Sequence, residues 1–140
     1  MIHPRPYLSE FLDYVFEHFN VSIWSAGKPY YIEAIVNTLI LNSQNRTLDF
    51  VFTCEETDAG LKNLDTVYDV CPEYNDCNTI LIDDNNIQTE FNPLNSVLIK
   101  PFDQPKGDDI FLLTLMYQLS NIKDVDDVRP EIGSLQATQE

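Results

Sequence analysis

A short apolar run, Thr79-Ile-Leu-Ile, ends abruptly in two adjacent carboxylates, Asp83 and Asp84, followed by Asn85 and Asn86. Two ionised carboxylates side by side repel each other, and a hard divalent cation is the natural reason to place them together, with magnesium the first choice. Two other polar residues hold comparable positions. Ser25 stands where the alternating run Val21-Ser-Ile-Trp-Ser25 stops at Ala26-Gly27, and Lys62 lies in the loop region after Phe50-Val-Phe-Thr53. A hydroxyl, an ammonium and a metal-binding carboxylate pair are the parts of a phosphoryl site, where catalysis is largely positioning and charge neutralisation. Taken singly each has an ordinary structural reading, as turn residue, surface lysine or helix cap. The combination carries the argument, and it requires the four side chains to converge on one rim of a sheet. A nucleophile is missing from the set.

The elements that must position these groups alternate along the chain. Tyr7, Leu8, Phe11, Leu12, Val15, Phe16 and Phe19 recur at helical spacing, with Pro6 suited to a first turn, and this predicts an amphipathic helix. Residues 21–25 then read as a strand, Pro29 opens a second helix through about 41, and 50–53 read as a strand. Residues 54–78 read mostly as loop, with a short helical possibility around 61–65. Beyond the acidic strand, 85–90 suit one helical turn ended by Asn92-Pro93. Ser96-Val-Leu-Ile-Lys100 is a further strand, and Asp108-Asp109 cap an apolar helix beginning near Ile110. Alternating strands and helices predict an α/β fold with a mainly parallel sheet covered on both faces, its ligands outside the carboxyl ends of the strands. Residues 1–130 read as one domain, and 131–140, poor in periodic apolar residues, as a loose tail.

With 23 acidic and 8 basic residues the formal charge is −15, which repels nucleic acid and anionic membranes and argues against both as partners. A phosphorylated substrate is repelled too, so any anion site must gather its cations locally. The three cysteines, Cys54, Cys71 and Cys77, are odd in number and form no Cys-x-x-Cys pair. That argues against a zinc site or a disulfide framework and for a reducing compartment. No run approaches the roughly 18 apolar residues of a membrane span, and the first residues do not read as a signal peptide.

Several segments, in order, resemble the FCP/SCP-type phosphatases of the haloacid dehalogenase superfamily, the NLI-interacting-factor-like domain. Arg5-Pro-Tyr-Leu-Ser-Glu-Phe-Leu is similar to the family's Arg-Pro-x-(Leu/Val)-x-Glu-Phe-Leu helix, and Val21-Ser-Ile-Trp-Ser25-Ala26-Gly27 to its Val-Phe-Thr-Ala-Ser segment. Leu61-Lys62-Asn63-Leu64 resembles Lys-Asp-Leu, and Ile80-Leu-Ile-Asp83-Asp84-Asn85 resembles Asp-(Asp/Asn)-Ser-Pro. Asn92-Pro93-Leu94-Asn95-Ser96-Val97, Ile99-Lys100-Pro101-Phe102 and Val125-Asp126-Asp127-Val128-Arg129 continue the series. The resemblance implies a HAD-like Rossmannoid three-layer sandwich. It also implies a magnesium-dependent phosphatase acting on phosphoserine or phosphothreonine proteins, often an RNA polymerase tail, in the nucleus or cytoplasm. By the same carry-over Ser25 hydrogen-bonds phosphoryl oxygens, Lys62 neutralises phosphate and nucleophile, and Asp84, with Asp83 beside it, holds Mg2+.

The chain departs from the family pattern in three places. Asn86 stands where proline is common, and the stretch from Cys71 to Cys77 reads as a small insertion. More seriously, the family's first motif, Asp-x-Asp-x-(Thr/Val) after an apolar strand, belongs upstream of the Arg-Pro helix with which this chain begins. Its two aspartates are nucleophile and general acid/base, so without them the covalent route is closed. The strand that bears them would sit between 21–25 and 79–83, and its loss leaves two edges open to a foreign strand. The expectation is a phosphatase-like domain inactive as given, its missing strand supplied by an upstream segment or a partner, or its remaining strands closing ranks. The alternatives are a catalytically dead module binding proteins or peptides, and the C-terminal part of a longer active phosphatase. A response-regulator receiver fits worse, because there the acidic pair opens the domain and a phosphoacceptor strand separates it from the Lys-Pro-Phe.

Overall fold

The computed structural model describes residues 4–102 and 109–137, over which helices alternate with short strands. They fall into two compact units, Met1–Glu55 with Phe102–Lys123 and Glu56–Pro101 with Asp124–Glu140. No linker composition marks this division, because each unit is assembled from segments distant in sequence. Each unit carries one two-stranded parallel sheet.

In the first unit α1 (Leu8–His18) buries Leu12 and Val15 and packs against α5 (Phe111–Ser120), which buries Leu112, Leu115 and Leu119. The helix begins later than the sequence suggests. Pro6 lies in the turn before it and Tyr7 adopts a left-handed conformation (φ 69°), its carbonyl accepting from the Phe11 amide at 2.9 Å. Strand β1 (Ile23–Trp24) pairs with β2 (Val51–Phe52) in the register Ile23 to Val51 and Trp24 to Phe52. The Ser25 amide donates to the Phe52 carbonyl at 3.0 Å, so the ladder reaches Ser25 itself. Pro29 opens α2 (Pro29–Ile35) as its composition predicts, and the turns widen into a π-helical stretch over Val36–Ile40. A buried arginine that the sequence did not single out anchors this unit. Arg46 binds the Ile40 and Ser9 carbonyls at 2.9 and 3.2 Å and the Asp13 carboxylate at 2.6 Å. Of the two carboxylates expected to cap the last long helix, Asp109 accepts from the Phe111 amide at 3.0 Å, and Asp108 lies outside the described residues.

In the second unit β3 (Leu81–Asp83) pairs with β4 (Ser96–Leu98). The two are joined through α4 (Asn86–Phe91), whose N-terminus is capped by Asn85 accepting from the Ile87 amide. Helix α3 (Leu64–Val70) is later and longer than the 61–65 expected, because Asn63 caps it and Leu64 and Val67 bury one face. The carboxyl-terminal segment departs most from expectation. Residues 132–137 form α6 (Ile132–Ala137), not a loose tail; Ile132 and Leu135 are buried and the helix packs on β4, whose Val97 has no exposed surface. Two apolar residues one turn apart suffice when a sheet face waits for them. Residues 138–140 lie outside the described set. Ahead of α6, Arg129 ion-pairs with Asp127 at 2.9 Å and Asp76 at 3.1 Å, and the Val128 amide bonds to the Cys77 carbonyl. These contacts fasten the carboxyl-terminal segment to the loop before β3. Among the described residues no helix is long and apolar enough to cross a membrane.

Candidate functional site

Strand β3 ends at Asp83, and the chain breaks away at once into Asp84 and the Asn85 cap of α4. The Asp83 carboxylate is nearly enclosed and doubly bound: Lys62 Nζ donates to Oδ2 at 2.5 Å and the Asn85 amide donates to Oδ1 at 2.9 Å. The Lys62 and Asp83 side chains are only 10% and 9% exposed, so the lysine is a buried partner of the acidic strand end and not the surface residue of the ordinary structural reading. The adjacent carboxylates are therefore not a bare like-charged pair. An ammonium already faces Asp83, while Asp84 is exposed to solvent. An ammonium has three N–H donors and Asp83 takes one. No further hydrogen bond from Lys62 Nζ is made to the described residues, and its remaining donors can meet an anionic oxygen.

The loop that delivers Lys62 is built as a tight support. Asp58 and Leu61 exchange backbone hydrogen bonds at 2.8 and 3.0 Å across Ala59 (φ 51°) and Gly60 (φ 90°), the two positive φ values required by the mirror-image turn of short hairpins. Two side-chain amides, Gln88 within α4 and Asn92 at its C-cap, then grasp the loop. Gln88 Oε1 accepts from the Lys62 amide at 2.8 Å and its Nε2 donates to the Gly60 carbonyl at 2.9 Å. Asn92 Nδ2 donates to the Lys62 carbonyl at 2.8 Å, and its Oδ1 accepts from the Leu64 amide at 3.3 Å. Sequence reasoning passed over both, treating Asn92 as a helix breaker. Their partners are backbone groups of a loop 26 to 30 residues away, which leave no signal in the local sequence.

Of the residues expected to do chemistry, the structure brings Lys62 and Asp83 together and leaves Asp84 beside them, all in the second unit. Ser25 belongs to the first unit, at the end of β1, half-buried, with its Oγ accepting from the Gly27 amide at 3.3 Å. A close approach explains the glycine at 27: a Cβ there would meet Ile32 Cδ1 at 3.0 Å. No cluster of three or more His, Cys, Asp or Glu side chains able to hold a metal occurs among the described residues. Magnesium, however, commonly uses one or two carboxylates and completes its shell with water and phosphate oxygens, which the exposed Asp84 beside Asp83 suits. The pattern Asp-x-Asp-x-Val is spelled once, at residues 124–128. It lies in the turns after α5, with Asp127 bound to Arg129, and not at the end of a strand.

Comparison with known proteins adds to this geometry. Residues 1–129 match the protein family described as NLI interacting factor-like phosphatase. An FCP1 homology domain-containing protein of Schizosaccharomyces pombe is 28% identical over 149 residues, covering 89% of this chain and 60% of its own length. A CTD phosphatase-like protein of Invertebrate iridescent virus 6 is 31% identical over 138 residues, 89% of this chain and 73% of that protein. Ubiquitin-like domain-containing CTD phosphatase 1 of Xenopus tropicalis is 33% identical over 138 residues, 89% of this chain and 43% of that protein. The chain thus spans only part of the length of the relatives it matches.

Proposed function

Because this chain belongs to the family of NLI interacting factor-like phosphatases, we propose that it carries the phosphoryl-gripping part of a phosphoprotein phosphatase site. Its target would be phosphoserine or phosphothreonine in a protein tail, the RNA polymerase II carboxy-terminal domain being the one suggested by relatives named CTD phosphatases. The observation that supports this best is the contact of Lys62 with Asp83 at the carboxyl end of β3, which orients an ammonium with donors to spare. In this reading Lys62 neutralises the phosphoryl group, and Asp84 with Asp83 would hold magnesium. Magnesium, when bound, supplies further charge neutralisation at the phosphoryl oxygens. Asp83 keeps the lysine in place by accepting a hydrogen bond from its ammonium in a short ion pair.

None of the described strands ends in Asp-x-Asp-x-(Thr/Val). In this proposal the 140 residues bind a phosphorylated chain inside the cell without turning it over, and attack on phosphorus awaits a strand from an upstream segment or a partner. Calorimetric titration with a serine-phosphorylated peptide and its unphosphorylated twin, in magnesium, tests the binding half. A preference for the phosphorylated form of at least about tenfold is expected, the worth of one charge-assisted hydrogen bond, and Lys62→Met should remove it. Equal binding of the two peptides would overturn the reading. Magnesium-dependent hydrolysis of a phosphomonoester by the purified 140 residues, lost in Asp84→Ala, would overturn the claim that they bind without turnover.

A further inference from the structure

We propose that Gln88 and Asn92 are positioning residues whose task is to aim the Lys62 ammonium, and that α4 is in this sense part of the phosphoryl site. The inference rests on the reading of Lys62 given above. Lysine is a poor tool for fixed geometry, because four rotatable carbons separate its charge from the backbone. The chain offsets this by immobilising both peptide groups that flank Lys62. Gln88 holds the amide before its Cα and Asn92 the carbonyl after it, at 2.8 Å each. The same two side chains also bind Gly60 and Leu64, so the loop is fixed on either side of the lysine.

The choice of primary amides is chemically specific. Each position must accept from one backbone N–H and donate to one backbone carbonyl, and Asn and Gln do both from adjacent atoms of one planar group. Gln88 is 4% exposed and Asn92 half-buried. An enclosed amide with both ends used is not a solubility feature, since an apolar side chain could fill the same space without needing partners. Gln88 lies within α4 and Asn92 is its C-cap, and the N-cap of the same helix is Asn85, whose amide fixes the other oxygen of Asp83. One six-residue helix with its two caps therefore sets both members of the ion pair: Lys62 through its loop, and Asp83 through the N-cap. It follows that α4 converts the Lys62–Asp83 contact from a chance encounter of a flexible side chain into a fixed donor.

The test uses the full 140-residue protein and the variants Gln88→Leu, Gln88→Glu and Asn92→Asp. In the parent, the nitrogen resonance of the Lys62 ammonium should move when Asp83→Asn removes the carboxylate; in Gln88→Leu that response should be lost. Gln88→Glu keeps the acceptor for the Lys62 amide and Asn92→Asp keeps the acceptor for the Leu64 amide, so both should fall between. The preference for a phosphorylated over an unphosphorylated peptide should drop at least about tenfold in Gln88→Leu, since a mis-aimed ammonium forfeits a charge-assisted bond. Leu135→Ala, chosen to lower the melting temperature of the same unit without touching the loop, should leave that preference intact. An undiminished Asp83 response of the Lys62 resonance in Gln88→Leu would overturn the inference whether or not the phosphopeptide binds. If Lys62→Met leaves the peptide preference unchanged, the functional reading fails separately, and the resonance experiment still decides what Gln88 does.

Discussion

Lys62 and Asp83 form an enclosed ion pair, and enclosed pairs are costly to break from one side. Replacing Lys62 with methionine keeps the aliphatic bulk but leaves a carboxylate only 9% exposed with the Asn85 amide as its remaining partner. A loss of about 2–3 kcal/mol is expected in urea unfolding, under the full penalty for a stranded buried charge because that amide remains. Adding Asp83→Asn to the methionine variant should restore part of it. In the same unit Asp127 is held below the usual carboxylate range, chiefly by the hydrogen bonds that Arg129 donates to it. A lowered folded-state value means that this stabilisation is present above the ordinary carboxylate range and disappears as pH falls through the lowered value. Asp127→Asn should therefore lower the melting temperature at neutral pH and flatten its decline in acid, as thermal scans against pH would record. At this scale the sequence was informative about charge and silent about amides. The Asp pair and Lys62 announce themselves by type, whereas Gln88 and Asn92 act through backbone groups of a distant loop, which no local pattern encodes.

Secondary elements were legible where apolar spacing or turn chemistry dictates them: α1 by its stripe, α2 by Pro29, β3 by its apolar run into Asp83. They were obscure where packing decides. Helix α6 has too little periodicity to be read, and exists because Ile132 and Leu135 find cover against β4. The loop of Lys62 was obscure for a different reason, since its order resides in the hairpin turn at Ala59-Gly60 and in contacts with α4. That turn gives a sharp prediction. Gly60 sits at φ 90° with open space where a Cβ would go, so Gly60→Ala carries a purely conformational penalty of about 1–2 kcal/mol. Gly60→Asn should cost less, because asparagine enters the left-handed region more readily. Chemical denaturation of the two variants checks the order. Equal stability of Ala and Asn at this position would show that the turn does not enforce its φ.

At the scale of the whole molecule the dominant fact is a charge of −15. A phosphopeptide free of basic residues approaches such a surface against its long-range field and is held, on the proposed reading, by a cation enclosed within hydrogen-bonding distance of Asp83. Salt acts on these two contributions unequally. Interactions between exposed charges beyond a Debye length of about 10 Å at 0.1 M are screened, while an enclosed contact is screened much less. Raising ionic strength should thus remove the repulsion and spare the grip, so that affinity for the phosphopeptide increases by a few-fold between low and moderate salt. A catalytically dead module that attracts basic peptides to the same acidic surface has the opposite dependence, its affinity falling as the attraction is screened. Titrating one phosphorylated acidic peptide and one unphosphorylated basic peptide across a salt series separates the two by the sign of the slope. Binding of the basic peptide alone, weakening steadily with salt, would move the assignment from phosphoryl recognition to electrostatic peptide capture.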